Sequence, residues 1–188
     1  MNYIQDEEFK GQQFVERQLA KGEYDNCTFL NCNFSKANLN NIKFTECEFM
    51  ECDCSMTSIT EASFNDVFFK ECKLLGVRFD SCNDFLFNVS FKDCILDMAS
   101  FYQLKLPKTS FTGCSLVRVD FVEANLQDSS FANANLEGAV FDRSILDKAD
   151  FRTAYNFQIN PATNSLKNAK FSRENLAGLL STFKLHIE

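Results

Sequence analysis

Large apolar side chains recur at every fifth position through most of this chain, and no other feature constrains its fold as much. Between Ala124 and Phe141 the series reads Leu126, Phe131, Leu136, Phe141. Two places before each stands a small residue: Ala124, Ser129, Ala134 and Ala139. An interval of five fits neither the 3.6 period of a helix nor the 2 period of a strand. It is therefore the period of a structural repeat.

Followed in register, the frame starts at Tyr24, holds to Phe79, slips by two residues within 82–87, and resumes from Phe91 to Phe151. Ala37-Asn38-Leu39, Ala124-Asn125-Leu126, Ala134-Asn135-Leu136 and Ala149-Asp150-Phe151 share a small residue, then Asn or Asp, then Leu or Phe. In this the chain resembles the pentapeptide-repeat family over roughly residues 24–151. The resemblance implies a right-handed, four-sided parallel β-helix with one repeat per side and four per coil. That all-β solenoid carries a further expectation: positions about 20 apart stack, and residue types sort into columns. One side reads Phe29, Phe49, Phe69, Phe91, Phe111, Phe131, Phe151. The next reads Phe34, Cys54, Leu74, Leu96, Leu116, Leu136, and the third Leu39, Ile59, Phe79, Phe101, Phe121, Phe141. The fourth reads Tyr24, Phe44, Phe64, Leu86, Leu106, Leu126, Leu146. The unbroken Phe column predicts offset aromatic stacking along the axis.

The ends follow different rules. Phe9, Phe14 and Leu19 keep the spacing, but Glu7, Gln12 and Arg17 occupy the small-residue slots. Residues 1–23 are therefore read as an irregular cap before a β-helix over 24–157. In 158–188, Leu166 and Phe171 suggest a further partial turn. Ser172 is placed as the N-cap of a short helix. Leu176, Leu179, Leu180 and Phe183 form its apolar face, and Lys184 to Glu188 close the chain as a short strand. That helix either covers the open core or pairs with a second copy, leaving monomer and homodimer both open.

Composition excludes several functions. Net charge is −7 and the pI near 4.8, so direct binding of nucleic acid or an anionic membrane is not expected. The N-terminal stretch lacks a signal-peptide pattern, and no apolar run is long enough to span a bilayer. The expectation is a cytoplasmic protein with reduced thiols. Five of nine cysteines (Cys32, Cys52, Cys72, Cys94, Cys114) share one slot of one side. Only Cys52-Asp53-Cys54 comes close to metal-ligand spacing, and its side chains belong to different slots. Small buried thiols explain the column better than disulfides or metal do. His186 is the only histidine and has no evident partner. With no nucleophile motif and no phosphate loop, neither enzyme activity nor a cofactor is expected.

Specificity is left to the outward positions. Two places after the Phe column stand Asn31, Glu51, Glu71 and Asp93, and two places after the fourth side Asn26, Glu46 and Asp66, with Glu48 nearby. These acids are either a solvated face or a negative stripe for a basic protein surface. The resemblance sharpens the second reading, because some pentapeptide-repeat proteins are DNA mimics that bind DNA gyrase or topoisomerase IV and confer quinolone or toxin protection. The alternative is a structural or scaffold protein with another partner. The slip must bulge, turning Phe85 or Phe87 outward; one ring folds back over the corner, or the bulge forms an apolar contact point with Phe68.

Overall fold

The structure, a computed structural model, describes residues 2–183 and 185. His186 and most of the expected terminal strand lie outside the described residues. Ten short strands appear in chain order: β1 (Asn2–Gln5), β2 (Glu8–Lys10), β3 (Gly22–Asp25), β4 (Thr28–Leu30), β5 (Lys43–Thr45), β6 (Glu48–Met50), β7 (Ser63–Asn65), β8 (Val67–Lys70), β9 (Val89–Lys92) and β10 (Phe111–Thr112). They form two parallel sheets, β1-β3-β5-β7 and β2-β4-β6-β8-β9-β10. Register follows the columns: Phe29 faces Phe49, Phe49 faces Phe69, and Phe69 faces Phe91 across the slip. Where strands end, single parallel bridges such as Asn125 with Ile145 and Ser130 with Asp150 continue the same register. The result is a four-sided solenoid whose interior holds only its own side chains.

The Phe column is longer than the repeat frame indicated. Nine rings, from Phe9 through Phe171, stack with centroids 4.6–5.4 Å apart and planes within 4–19°. Eight coil steps at about 4.8 Å give a rod of roughly 38 Å. Rings on the adjacent side meet the column edge-on, as Phe101 does Phe111 at 81°. Each ring thus has stacked neighbours along the axis and edge contacts across it, the two arrangements its quadrupole favours.

Corners are made by one backbone device. The residue two places after most central side chains is left-handed, with φ between +50° and +69°; Ser81 after Phe79 and Thr153 after Phe151 are exceptions. Gly11, Gly76, Gly113 and Gly138 take that position without strain, whereas Glu, Lys, Met and Arg do so at about 1–2 kcal/mol each. Where the following slot holds Ala, its N–H closes the turn onto the central carbonyl: 2.8 Å for Ala37, 3.1 Å for Ala134. Larger slot residues lengthen that bond, to 3.2 Å for Thr57 and 3.3 Å for Val77, Cys114 and Val119.

Three departures have physical causes. First, the N-terminal segment is not irregular throughout 1–23. Residues 2–10 already pair as β1 and β2 with β3 and β4, and Phe14 stacks on Phe34 at 4.5 Å. Glu7, Gln12 and Arg17 are exposed, so their size meets no interior constraint in the first coil. Only 15–21 departs from the frame, folding Leu19 into the core.

Second, Leu86 does not enter the fourth column. It is exposed at φ +58°, a corner residue. Phe87 turns inward instead, edge-on to Phe64 and Phe79 at 6.3 Å each. The two added residues put two side chains in competition for one core place, and the larger ring fills more of it.

Third, the C-terminal helix is broken. Turns of 3-10 helix at Arg173–Asn175 and Ser181–Phe183 flank α1 (Ala177–Leu180). Ser172 stands at the N-cap position but makes no side-chain capping bond. The rod holds this segment by other contacts. Asn175 Nδ2 donates to the carbonyls of Phe151 and Ala154 at 2.9 and 3.1 Å. Gly178 lies so close to Phe157 that a Cβ would meet its ring and carbonyl at 2.5 Å.

Candidate interaction surface

Glu46 and Asp66 occupy one left-handed corner column, and Glu51, Glu71 and Asp93 the next. The six-stranded sheet lies between the two columns and carries Glu48 outward on β6. All six carboxylates are exposed. The corner geometry explains their arrangement: a left-handed residue cannot point inward, so every side chain in this slot projects from the rod at coil spacing. Members of a column lie about 4.8 Å apart along the axis, and like charges at that distance in water repel by about 1 kcal/mol. Asp6 at the head of the first column accepts a hydrogen bond from Asn26 Nδ2 at 2.7 Å. Lys70 pairs with Glu71 at 3.4 Å, a surface contact of small value.

The bulge stands in line with the first acidic column. Phe85 is 75 % exposed and Leu86 beside it continues the corner series. Phe85 is therefore a free apolar knob; Phe87 is not, being half-buried against the core. At the far end Leu176 and Phe183 are exposed, while Leu180 is half-buried and Leu179 packs on the core. The expected apolar face is thus divided, half serving the rod and half turned outward.

The cysteine column does more than fill space. Each thiol donates to a carbonyl one coil back: Cys32 to Phe9 (3.3 Å), Cys52 to Phe29 (3.2 Å), Cys72 to Phe49 (3.3 Å) and Cys94 to Phe69 (3.4 Å). Sulfur also accepts the N–H that the open corner leaves over, from Cys32 to Cys52 and from Cys52 to Cys72 at 3.4 Å each. Hydroxyls at equivalent slots do the same, Thr57 on Phe34 at 2.7 Å and Ser129 on Leu106 at 2.8 Å. The sequence marked these positions as small and buried; their polar role depends on the carbonyl that stacking brings beneath them. Burial raises the thiols of Cys47 and Cys82 to about 12 and that of Cys54 well above its ordinary value. Among the described residues no three His, Cys, Asp or Glu side chains converge as metal ligands would. Beside Cys54, in a column otherwise of Phe and Leu, lies an apolar void of about 20 Å³.

A four-sided coil, one five-residue repeat per side, with a side-chain-filled interior, defines the class: a pentapeptide solenoid. The family model described as "Pentapeptide repeat region" matches residues 23–83 and 85–179, interrupted within the bulge. The chain belongs to the pentapeptide-repeat family. Curated protein sequences give no match. Among solved structures it is similar to a trypsin-treated variant of QnrB1, described as a plasmid-mediated fluoroquinolone resistance protein, with TM-score 0.63, 15 % identity and full coverage of both chains. It is also similar to HetL, described as involved in heterocyst differentiation regulation, from Nostoc sp. strain PCC 7120. That match has TM-score 0.50 and 14 % identity, covering 90 % of this chain and 86 % of HetL. These likenesses establish the quadrilateral β-helix. No helix among the described residues is long and apolar enough to cross a membrane.

Proposed function

We propose that this chain is a non-catalytic protein-interaction module whose acidic columns dock on a basic protein surface, and that the partner is a type II topoisomerase, DNA gyrase or topoisomerase IV. One observation carries the reading: Glu46 and Asp66, and Glu51, Glu71 and Asp93, project from adjacent rigid corners as two parallel rows of carboxylates. Duplex DNA also presents two rows of negative charge, and a cationic channel built for one accepts the other. Phe85, at the end of the first row, adds an apolar anchor within a charged rim. The fold likeness to a fluoroquinolone-resistance protein makes gyrase the first partner to test.

The test is gyrase supercoiling in the presence of ciprofloxacin, with and without the purified protein. Protection or inhibition at micromolar protein is expected, and loss of either on charge reversal at Glu51, Glu71 and Asp93. No effect of the wild-type protein overturns the topoisomerase assignment. A partner that still binds after charge reversal reduces the stripe to solvated surface.

A second reading, a scaffold acting as a homodimer through the C-terminal segment, is favoured by the outward Leu176 and Phe183. Sedimentation of wild type against Leu176→Ser/Phe183→Ser decides it. Both readings place the protein in the cytoplasm with reduced thiols, which the thiol-to-carbonyl bonds support.

A further inference from the structure

The corner diagonally opposite the first acidic column reads Lys36, Met56, Gly76, Met98, Arg118, Gly138. Among the described residues it is the one corner column without a carboxylate. Met56 and Met98 are 57 % and 56 % exposed, and Ile95 on the adjoining side is 42 % exposed. Met56 lies over Gly76, whose missing Cβ leaves it room: a Cβ there would meet the sulfur at 2.6 Å. Leu75 and Val117 extend the apolar area along the same side.

Folding does not explain this composition. The left-handed position favours Gly and Asn, and methionine brings strain there without burial. The charges bracketing the apolar centre are available. Neither Lys36 nor Arg118 belongs to an ion pair among the described residues. Glu137, beside Gly138, is exposed and also outside those ion pairs, whereas two other nearby acids are engaged elsewhere. Asp97 accepts from Ser115 Oγ at 2.6 Å and Val117 N at 3.0 Å, and Asp80 is paired with Arg78 at 2.6 Å.

We propose that this corner is a second docking surface, for an apolar partner segment with carboxylates at both ends. Methionine supplies a polarisable, adaptable contact for apolar side chains, and exposed apolar area rimmed by charge marks interaction sites. Lys36 and Arg118 are four coil steps apart, about 19 Å. A helix of about 13 residues spans that length, which sets the separation of the two acidic ends. The rod thus has opposite chemistry on opposite corners and joins two partners of opposite charge.

The probe is a fluorescein-labelled amphipathic helical peptide of about 14 residues, with Glu pairs at both ends and Leu and Phe between. Two controls carry Lys ends or a Ser-substituted centre. By anisotropy, the acidic apolar peptide binds at least tenfold more tightly than either control. Met56→Asn/Met98→Asn weakens binding tenfold or more, and Asn suits the left-handed corner, so the melting temperature is held or raised. Lys36→Glu/Arg118→Glu weakens it comparably, while reversal of Glu51, Glu71 and Asp93 leaves it unchanged. With methyl-13C methionine, the Met56 and Met98 resonances shift on binding and that of Met50, on the acidic side, does not. Absence of saturable binding at millimolar peptide, equal binding of the Lys-ended control, or shifts confined to Met50 each overturn the proposal.

Discussion

The two halves of this rod follow one repeat frame but make their corners differently. In residues 22–94 the slots of the strand-bearing sides hold Cys27, Cys32, Cys47, Cys52, Val67, Cys72 and Cys94, and nine of the ten strands precede residue 95. In residues 124–154 the slots are Ala and Ser, no strand forms, and turns close at 3.0–3.1 Å at all but Ser144, whose N–H goes to Asn164. The thiol slots go with the open corners: at Cys32 and Cys52 the N–H bonds to the next sulfur and the backbone extends into strands. Volume alone does not decide it, because Val77, Cys114 and Val119 still close their turns, at 3.3 Å.

The largest test addresses what the halves share. If the Phe column is one structure, Phe49→Ala and Phe131→Ala each cost about 3–5 kcal/mol in denaturant melts. A difference between them well beyond about 1 kcal/mol would show two separately packed units. Next comes the slot itself. Ala134→Val overpacks a closed turn and costs about 1–3 kcal/mol. At the open corner Cys52→Ser costs about 1 kcal/mol or less, because the hydroxyl donates to the same carbonyl; Cys52→Ala, which removes that bond and takes the sulfur acceptor from the Cys32 N–H, costs more. Equal losses for Ser and Ala would remove the thiol ladder from the account.

Alkali separates the halves in a third way. Cys47 and Cys82 are raised by burial to about 12, whereas an unfolded thiol ionises near about 8.5. The folded state therefore keeps protons that the unfolded state has released. The stability from these thiols is fully present below about pH 8.5 and falls as pH rises toward 12, by up to about 1.4 kcal/mol per pH unit per group. Cys47 and Cys82 both precede residue 95, so amide exchange at about pH 9–10 quickens first in the N-terminal half. Uniform loosening would contradict this. The smallest effect is a gain: Cys54→Val partly fills the void beside that thiol and stabilises by about 0.5–1 kcal/mol. A destabilisation would mean that the void closes in solution.

How far the sequence could be read depended on which way a residue faces. From Tyr24 to Phe151 the inward frame was legible outside the bulge, since one five-residue interval and a sort into columns placed Phe29 over Phe49 and Phe121 over Phe141. The bulge was legible as an insertion, but not its outcome: Phe87, not Leu86, filled the core. The helix around Leu179 was visible as an apolar pattern, but its break at Asn175 came from contacts with the last coil. The acidic columns could be counted from the sequence, whereas the opposite Lys36–Arg118 corner drew no notice, because methionines twenty or more residues apart form no local pattern.

The sequence by itself determined the period, the columns, the register across the slip and the acidic character of two corners. These are local or strictly periodic properties, and a solenoid repeats local geometry along one axis. Only the tertiary structure decided which polar groups meet: the thiol over its carbonyl, Met56 over Gly76, Asn175 on the last coil. Those contacts join residues a full coil apart, and they depend on a stacking distance that no single repeat contains.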